Sequence, residues 1–264
     1  MFLEKIIQHK KEELPGFKNK LPLSFFKDAI KDLPAPRDFL GALKTAVPVE
    51  GAKPKLNIIS EVKKASPSKG IIREDFNPLA IAQIYEKHGA VAISVLTDRH
   101  FFQGNLDYLQ GIKAVSALPL LDKDFIIDPY QIYQARYYGA DAILLIAAVL
   151  TDEQLHSFLE LADQLGLSVL VEVHTLEELN RVLVTKAPVI GINNRDLTNF
   201  KVTIDTSLQL VKYIPEGTIV VSESGIDTRE DLLTLYAAGF DAFLIGEALM
   251  KATDIAAKLN EFIN

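Results

Sequence analysis

A (β/α)8 barrel, the TIM-barrel arrangement of the α/β class, is the fold this sequence predicts, and three observations predict it. "HGAVAISVL" (88–96), "YGADAILLI" (138–146) and "AGFDAFLIG" (238–246) each run from a helix-ending glycine into an apolar strand. Gly89, Gly139 and Gly239 are spaced by 50 and 100 residues. That spacing fits two and then four βα units of roughly 25 residues each. The apolar runs are short and continuous, as parallel strands covered on both faces require.

The elements follow in order. "MFLEKIIQHKKEEL" and "PLSFFKDAIKDL" read as helices separated by "PGFKNKLP", with a third helix at about 37–45. Phe2, Ile6, Phe25, Phe26 and Ile30 give this stretch apolar faces. Residues 1–55 are therefore expected to form a helical extension packed on the barrel, within a single domain spanning 1–264. Beyond them, strands fall at 56–62, 118–122, 168–173, 189–193 and 218–222, in addition to the three repeats. Amphipathic stretches such as "NPLAIAQIYEKHG" and "TDEQLHSFLELADQLG" lie between them. Thr151 and Thr228 read as N-caps followed by acids, and Gly166 and Gly239 as stops. A doubly wound open sheet would need fewer strands or a glycine-rich loop after the first one, and GxGxxG is absent.

Composition narrows the function. Apolar residues make up 48% of 264, enough for a sizeable core. Cysteine is absent, which excludes thiolate chemistry and cysteine-ligated metals. With no visible signal peptide and no run of about 20 apolar residues, a cytoplasmic protein without membrane association is expected. Residues 1–70 hold 14 of the 28 basic residues against 8 acids, while the remainder holds 14 against 27. A body of −13 does not suit nucleic acid, and no aromatic stacking platform accompanies the basic stretch.

Chemistry in such barrels collects at the C-terminal ends of strands. "IISEVKKASPSKG" (58–70) puts Glu61 and Lys63 on one strand face and brings Ser66 close behind. The third strand ends at Lys123 and the fifth carries Glu172. The sixth presents Asn193 and Arg195, and the seventh ends in Glu223, Ser224 and Gly225. Gly246 opens the last helix. Taken singly, each is an ordinary surface lysine, ion-pair partner or turn. Together they put more polar groups on one rim than an apolar ring tolerates unpaired. Glycines after the last two strands point to an anion such as phosphate, to which Glu247 can offer only its backbone N–H. The five histidines show no metal-ligand spacing, and His100 and His174 read as structural or solvated. Lysines among glutamates suggest general acid–base catalysis, with a crowded cationic rim expected to lower a lysine pKa.

"DRHFFQG", "LDKDFIID", "LVEVHTLEEL", "GINNRDL", "VSESGI" and "FLIGEALM", with the first-strand motif, closely resemble indole-3-glycerol phosphate synthase over essentially the whole chain. The resemblance implies ring closure of 1-(2-carboxyphenylamino)-1-deoxyribulose 5-phosphate with loss of CO2 and water, without a cofactor. It further implies an anionic sugar-phosphate substrate and leaves association with other tryptophan-pathway enzymes open. Matched by motif, Lys63 and Lys123 are catalytic lysines, Glu172 a general base and Glu61 their partner. Asn193 and Arg195 orient the substrate and meet its carboxylate, with Ser66 nearby. Phe102, Phe125, Leu145 and Leu197 wall the aromatic ring, and Ser224, Gly225, Gly246 and the Glu247 backbone hold phosphate. Asn105 stands where the family more often has serine. The rivals are a sugar-phosphate isomerase, a Schiff-base aldolase and a non-catalytic phosphate-binding module.

Overall fold

The computed structural model describes residues 2–44, 54–196 and 201–264. Eight parallel strands close into a barrel. They are β1 Asn57–Val62, β2 Ala92–Leu96, β3 Leu120–Lys123, β4 Ala142–Ile146, β5 Ser168–Val173, β6 Val189–Asn193, β7 Ile219–Glu223 and β8 Ala242–Ile245. Closure comes from β1, which pairs with β2 on one side and β8 on the other. A helical crossover follows every strand, with extra short helices at Arg99–Phe102 and Glu247–Lys251.

The glycine repeat is one turn used three times. Gly89, Gly139 and Gly239 take φ of +93°, +95° and +104°, a left-handed conformation that a side chain resists. In each case the next residue's N–H reaches back five positions, from Ala90 to Tyr85, Ala140 to Ala135 and Phe240 to Leu235. This bond closes the helix and aims the chain into the following strand. Thr151 and Thr228 both form capping boxes at the opposite helix ends.

Alternate strand residues face opposite ways. Ile58, Val95, Leu145, Val171 and Phe243 point outward into the layer beneath the helices. Ile59, Leu121, Leu144, Leu170, Val221 and Leu244 fill the barrel itself.

The extension touches the barrel at both ends. Its third helix, α3 (Phe39–Leu43), buries Phe39 and Leu43 fully against the interior cluster. Asn57, where β1 begins, donates to the Leu43 carbonyl at 3.0 Å, so α3 stoppers the N-terminal end. The second, α2 (Leu23–Ala29), lies along the helix Pro129–Tyr137, where Phe26 meets Tyr130 and Tyr137 edge-on at 5.3 Å. The first, α1 (Phe2–Lys20), crosses the C-terminal rim. There the buried Lys10 ammonium reaches Asp124 at 2.9 Å and Asp98 at 3.1 Å. Among the described residues, no helix is long and apolar enough to cross a membrane.

Candidate active site

Parallel partners share a face, and the pairing therefore decides which strand-end residues look into the barrel. Ile146 and Gly191 lie opposite Glu172, while Asn193 and Leu244 lie opposite Glu223. Ile146, Glu172, Asn193, Glu223 and Leu244 line a cavity of about 480 Å³ together with Glu61, Lys63, Ser66, Lys123 and Arg195. The sequence-predicted acids, bases and amide therefore converge on one opening. Leu145 does not join them. It pairs with Val171, faces the helices and is fully buried, and Leu144 and Ile146 take its place on the wall. Leu197 lies outside the described residues.

Two lysines hold the centre. Lys63 Nζ sits 2.6 Å from Glu61 Oε1. Lys123 Nζ lies 3.2 Å from Glu223 Oε2 and 3.4 Å from Glu172 Oε2. Burial alone would push Lys123 down, but the carboxylates of Glu223, Glu172 and Glu61 reverse this and hold it well above the ordinary lysine range. The surroundings of Lys123 are thus anionic, and at Lys123 the lowering expected from a cationic rim is reversed.

The carboxylates divide by environment. Burial would raise Glu172, yet Lys123, His174 and Asn193 together pull it down to about 2. Burial also raises Glu223, and repulsion from Glu172 and Glu61 adds to this against the pull of Lys123, leaving it at about 7. Glu61 is held below the usual carboxylate range because Lys63 and Lys123 outweigh its burial. Asn193 accepts from the Arg195 backbone N–H at 3.0 Å, which turns its amide N–H toward Glu172. Near neutral pH the cluster therefore holds Glu172 and Glu61 ionised and Glu223 poised to exchange a proton.

Two glycines make room for the acids. A Cβ on Gly191 would stand 2.3 Å from Glu223 Oε1, and one on Gly246 would stand 2.2 Å from Glu61 Oε1. Gly246 was expected to serve an anion; it also makes space for the carboxylate that anchors Lys63.

The cavity has two kinds of wall. On one side Phe102 and Phe125 stand 6.0 Å apart, centroid to centroid, with Leu144 and Ile146 beside them. Phe2, Leu3 and Ile6 from α1 complete this apolar side, a contribution visible in the sequence only as an unassigned apolar face. On the other side lie Ser224, Gly225, Gly246 and Glu247. Ser224 and Gly225 take φ of +66° and +71°. The non-glycine Ser224 is held there by Asn194, whose side-chain N–H donates to the Ser224 carbonyl at 3.0 Å. The Glu247 side chain turns to Lys251 at 2.5 Å and Arg195 at 3.4 Å, so Arg195 is engaged by an acid of the protein itself. Ser66 Oγ is buried and has no hydrogen-bond partner among the described residues.

Three residues outside the expected set carry weight. Glu223 was visible at a strand end but had no assigned role. His174, read as structural or solvated, contacts Glu172 at 3.2 Å and Glu178 at 3.3 Å. Asn105 caps the helix Leu106–Val115, accepting from the Asp107 N–H and from Arg99. Among the described residues, no group of three or more histidines and acids is placed to hold a metal ion.

The family model described as indole-3-glycerol phosphate synthase matches residues 3–262. An indole-3-glycerol phosphate synthase of Chloroherpeton thalassium is 50% identical over 256 residues, 97% of each chain. One of Dehalococcoides mccartyi is 49% identical over 266 residues, spanning both chains entirely. Among solved structures, a 3-hexulose-6-phosphate synthase superposes with a TM-score of 0.63 at 14% identity, covering 78% of this chain and 98% of its own. That last likeness is one of fold.

Proposed function

The chain belongs to the indole-3-glycerol phosphate synthase family, and on that premise we propose how its rim residues divide the reaction between them. The family's activity is a decarboxylating, dehydrating ring closure in tryptophan biosynthesis, acting on 1-(2-carboxyphenylamino)-1-deoxyribulose 5-phosphate. The observation that carries our reading is the pair of ammonium groups anchored by buried carboxylates under one half-apolar cavity.

Lys123 donates to the ribulose ketone oxygen as the carboxyl-bearing aromatic carbon attacks. An ammonium held this firmly gives up its proton only to a strong base, and an oxygen becoming an alkoxide is one. Loss of CO2 then restores the aromatic ring. Lys63, on the same face as Glu61, protonates the departing hydroxyl, and Glu172 takes the proton that dehydration releases. Glu172 is a weak base while Lys123 is charged. Once Lys123 has given its proton away, the largest attraction holding Glu172 down is gone, with His174 and Asn193 remaining, and its basicity rises when it is needed. Glu223, poised near neutrality, shares its proton with the Lys123 site.

The aromatic ring lies against Phe102, Phe125, Leu144 and Ile146, with α1 above it. Phosphate sits at the Ser224–Gly225 turn and the backbone of Gly246 and Glu247. Asn193 orients Glu172, and Arg195 leaves Glu247 for the substrate carboxylate. The extension belongs to the same folding unit as the barrel, and the protein works in the cytoplasm on a small anionic substrate.

The test is turnover of that substrate followed by indole fluorescence, which the tryptophan-free chain does not obscure. Lys63→Ala and Lys123→Ala should remove turnover while the protein stays folded by circular dichroism. Near-normal kcat in either variant would overturn that lysine's assignment.

A further inference from the structure

A proton balance leads from the active site to a second cavity. The substrate enters with an ionised carboxylate, and CO2 leaves uncharged. The ketone oxygen and the departing hydroxyl each take one proton, and dehydration returns only one. Each turnover therefore draws one proton from solvent into a site whose main opening is filled by substrate.

The structure contains a path of the right connectivity. Lys123 Nζ lies 3.4 Å from Glu172 Oε2, and the other oxygen of Glu172 lies 3.2 Å from His174 Nε2, an ion-pair contact that a small rotation of the imidazole must bring into line before a proton passes. His174 Nδ1 lies 3.3 Å from Glu178 Oε2. Glu178 stands in the first turn of the helix Leu176–Thr185 and is fixed by the His174 backbone N–H at 2.7 Å. Both His174 and Glu178 line a second cavity of about 700 Å³, on the side of α1 away from the aromatic wall. Its other charged neighbours are Glu4, Lys11, Arg195 and Asp196. An imidazole is the one common side chain that can accept a proton on one ring nitrogen while releasing one from the other.

We propose that Glu178, His174 and Glu172 form a relay that carries a solvent proton from the second cavity to Lys123 during turnover. His174 gives its Nε2 proton to Glu172, Glu172 passes one to the amine of Lys123, and His174 is refilled at Nδ1 through Glu178. Nothing is oxidised or reduced, and the net transfer is the single proton the reaction consumes. His174 touches Glu172 rather than substrate, so it is a positioning and relay residue. The inference rests on the proposed roles of Lys123 and Glu172.

His174→Asn and Glu178→Gln in the full-length protein test it. Asparagine keeps an N–H for Glu172 but cannot relay. The expected result is a fall in kcat of roughly tenfold or more, with KM held, for a step limited by proton delivery. Added imidazole should restore rate to His174→Asn, and the solvent isotope effect on kcat should grow. An unchanged kcat would overturn the relay. So would a loss that imidazole does not repair and that leaves the isotope effect unmoved, because that pattern belongs to a residue that only holds Glu172 in place. If His174→Asn fails to fold, Glu178→Gln carries the same isotope-effect test from the outer end. Failure of the underlying site reading looks different: Lys123→Ala would then turn over substrate, whatever His174 does.

Discussion

Gly191 is the position where a single methyl group should separate catalysis from stability. Glycine in mid-strand weakens a sheet and packs nothing, so an inward-facing one needs a reason. Here the reason is Glu223. A Cβ at 191 would stand 2.3 Å from Glu223 Oε1 and 3.1 Å from Leu170 Cδ1, where ordinary contact begins at 3.4 Å. The carboxylate must therefore retreat by about 1 Å. Lys123 Nζ lies 3.2 Å from Glu223 Oε2, and a retreat of the carboxylate by that much takes the pair beyond the reach of an ion pair, about 4 Å. A misplacement of about 1 Å at a reacting group is worth on the order of 10²-fold in rate.

Stability should hardly move. Gly191 does not have a left-handed φ, and the atom displaced is the far end of a flexible side chain. Alanine also restricts the unfolded chain, an effect of about 0.4–1 kcal/mol in favour of folding. Gly191→Ala should thus unfold in urea within about 1 kcal/mol of the parent while kcat falls about 100-fold. Gly16→Ala is the control, because a Cβ there meets nothing within 4 Å. Full activity in Gly191→Ala would refute the placement of Glu223 as functional. A loss of several kcal/mol would refute the claim that its carboxylate can step aside.

Two further predictions concern charge. Lys10→Met leaves the buried Asp98 and the half-buried Asp124 beside one another without their ammonium, and breaking such a pair from one side costs roughly 3–5 kcal/mol, measurable by urea unfolding. The Glu172–His174 pair sets two limits on pH stability. Glu172 is lowered from 4.5 to about 2, so its contribution is present above pH 4.5 and is lost as pH falls through about 2. His174 is raised from 6.5 to about 10, so its contribution is full below pH 6.5 and is lost as pH rises through about 10. Urea midpoints from pH 3 to 10 should show both slopes, and His174→Asn should flatten the alkaline one.

The barrel was legible in the sequence because glycine turns and apolar runs are local signals. Gly89, Gly139 and Gly239 each state their own conformation, and Thr151 and Thr228 announce their caps. Most of the rim was legible for the same reason, since a charged residue ending an apolar run is conspicuous wherever it points. What was not local was misread or left without a role. Leu145 and Leu144 are chemically identical neighbours, and only the register with Glu172 on the next strand tells which one faces the cavity. Likewise, the company of Lys123 comes from three other strands, and nothing near residue 123 says that it is anionic.

That company decides what Lys123 can be. A lysine that forms a Schiff base must present a free amine, which enzymes obtain by burying it in apolar surroundings or beside another cation. Lys123 has the opposite environment: three carboxylates on β1, β5 and β7 hold its proton in place. The barrel gives up inward volume at Gly191 and Gly246 to seat two of those carboxylates. Burying charge on this scale works against stability, since Glu223 is driven up to about 7 by burial and by its fellow acids. A scaffold selected for stability alone would have filled the space with leucine. Three buried acids around one ammonium make sense where the ammonium must stay charged until a developing alkoxide takes its proton, with a base beside it whose strength rises at that moment. The proposed mechanism therefore uses a charge arrangement that works against stability to keep Lys123 an acid rather than a nucleophile.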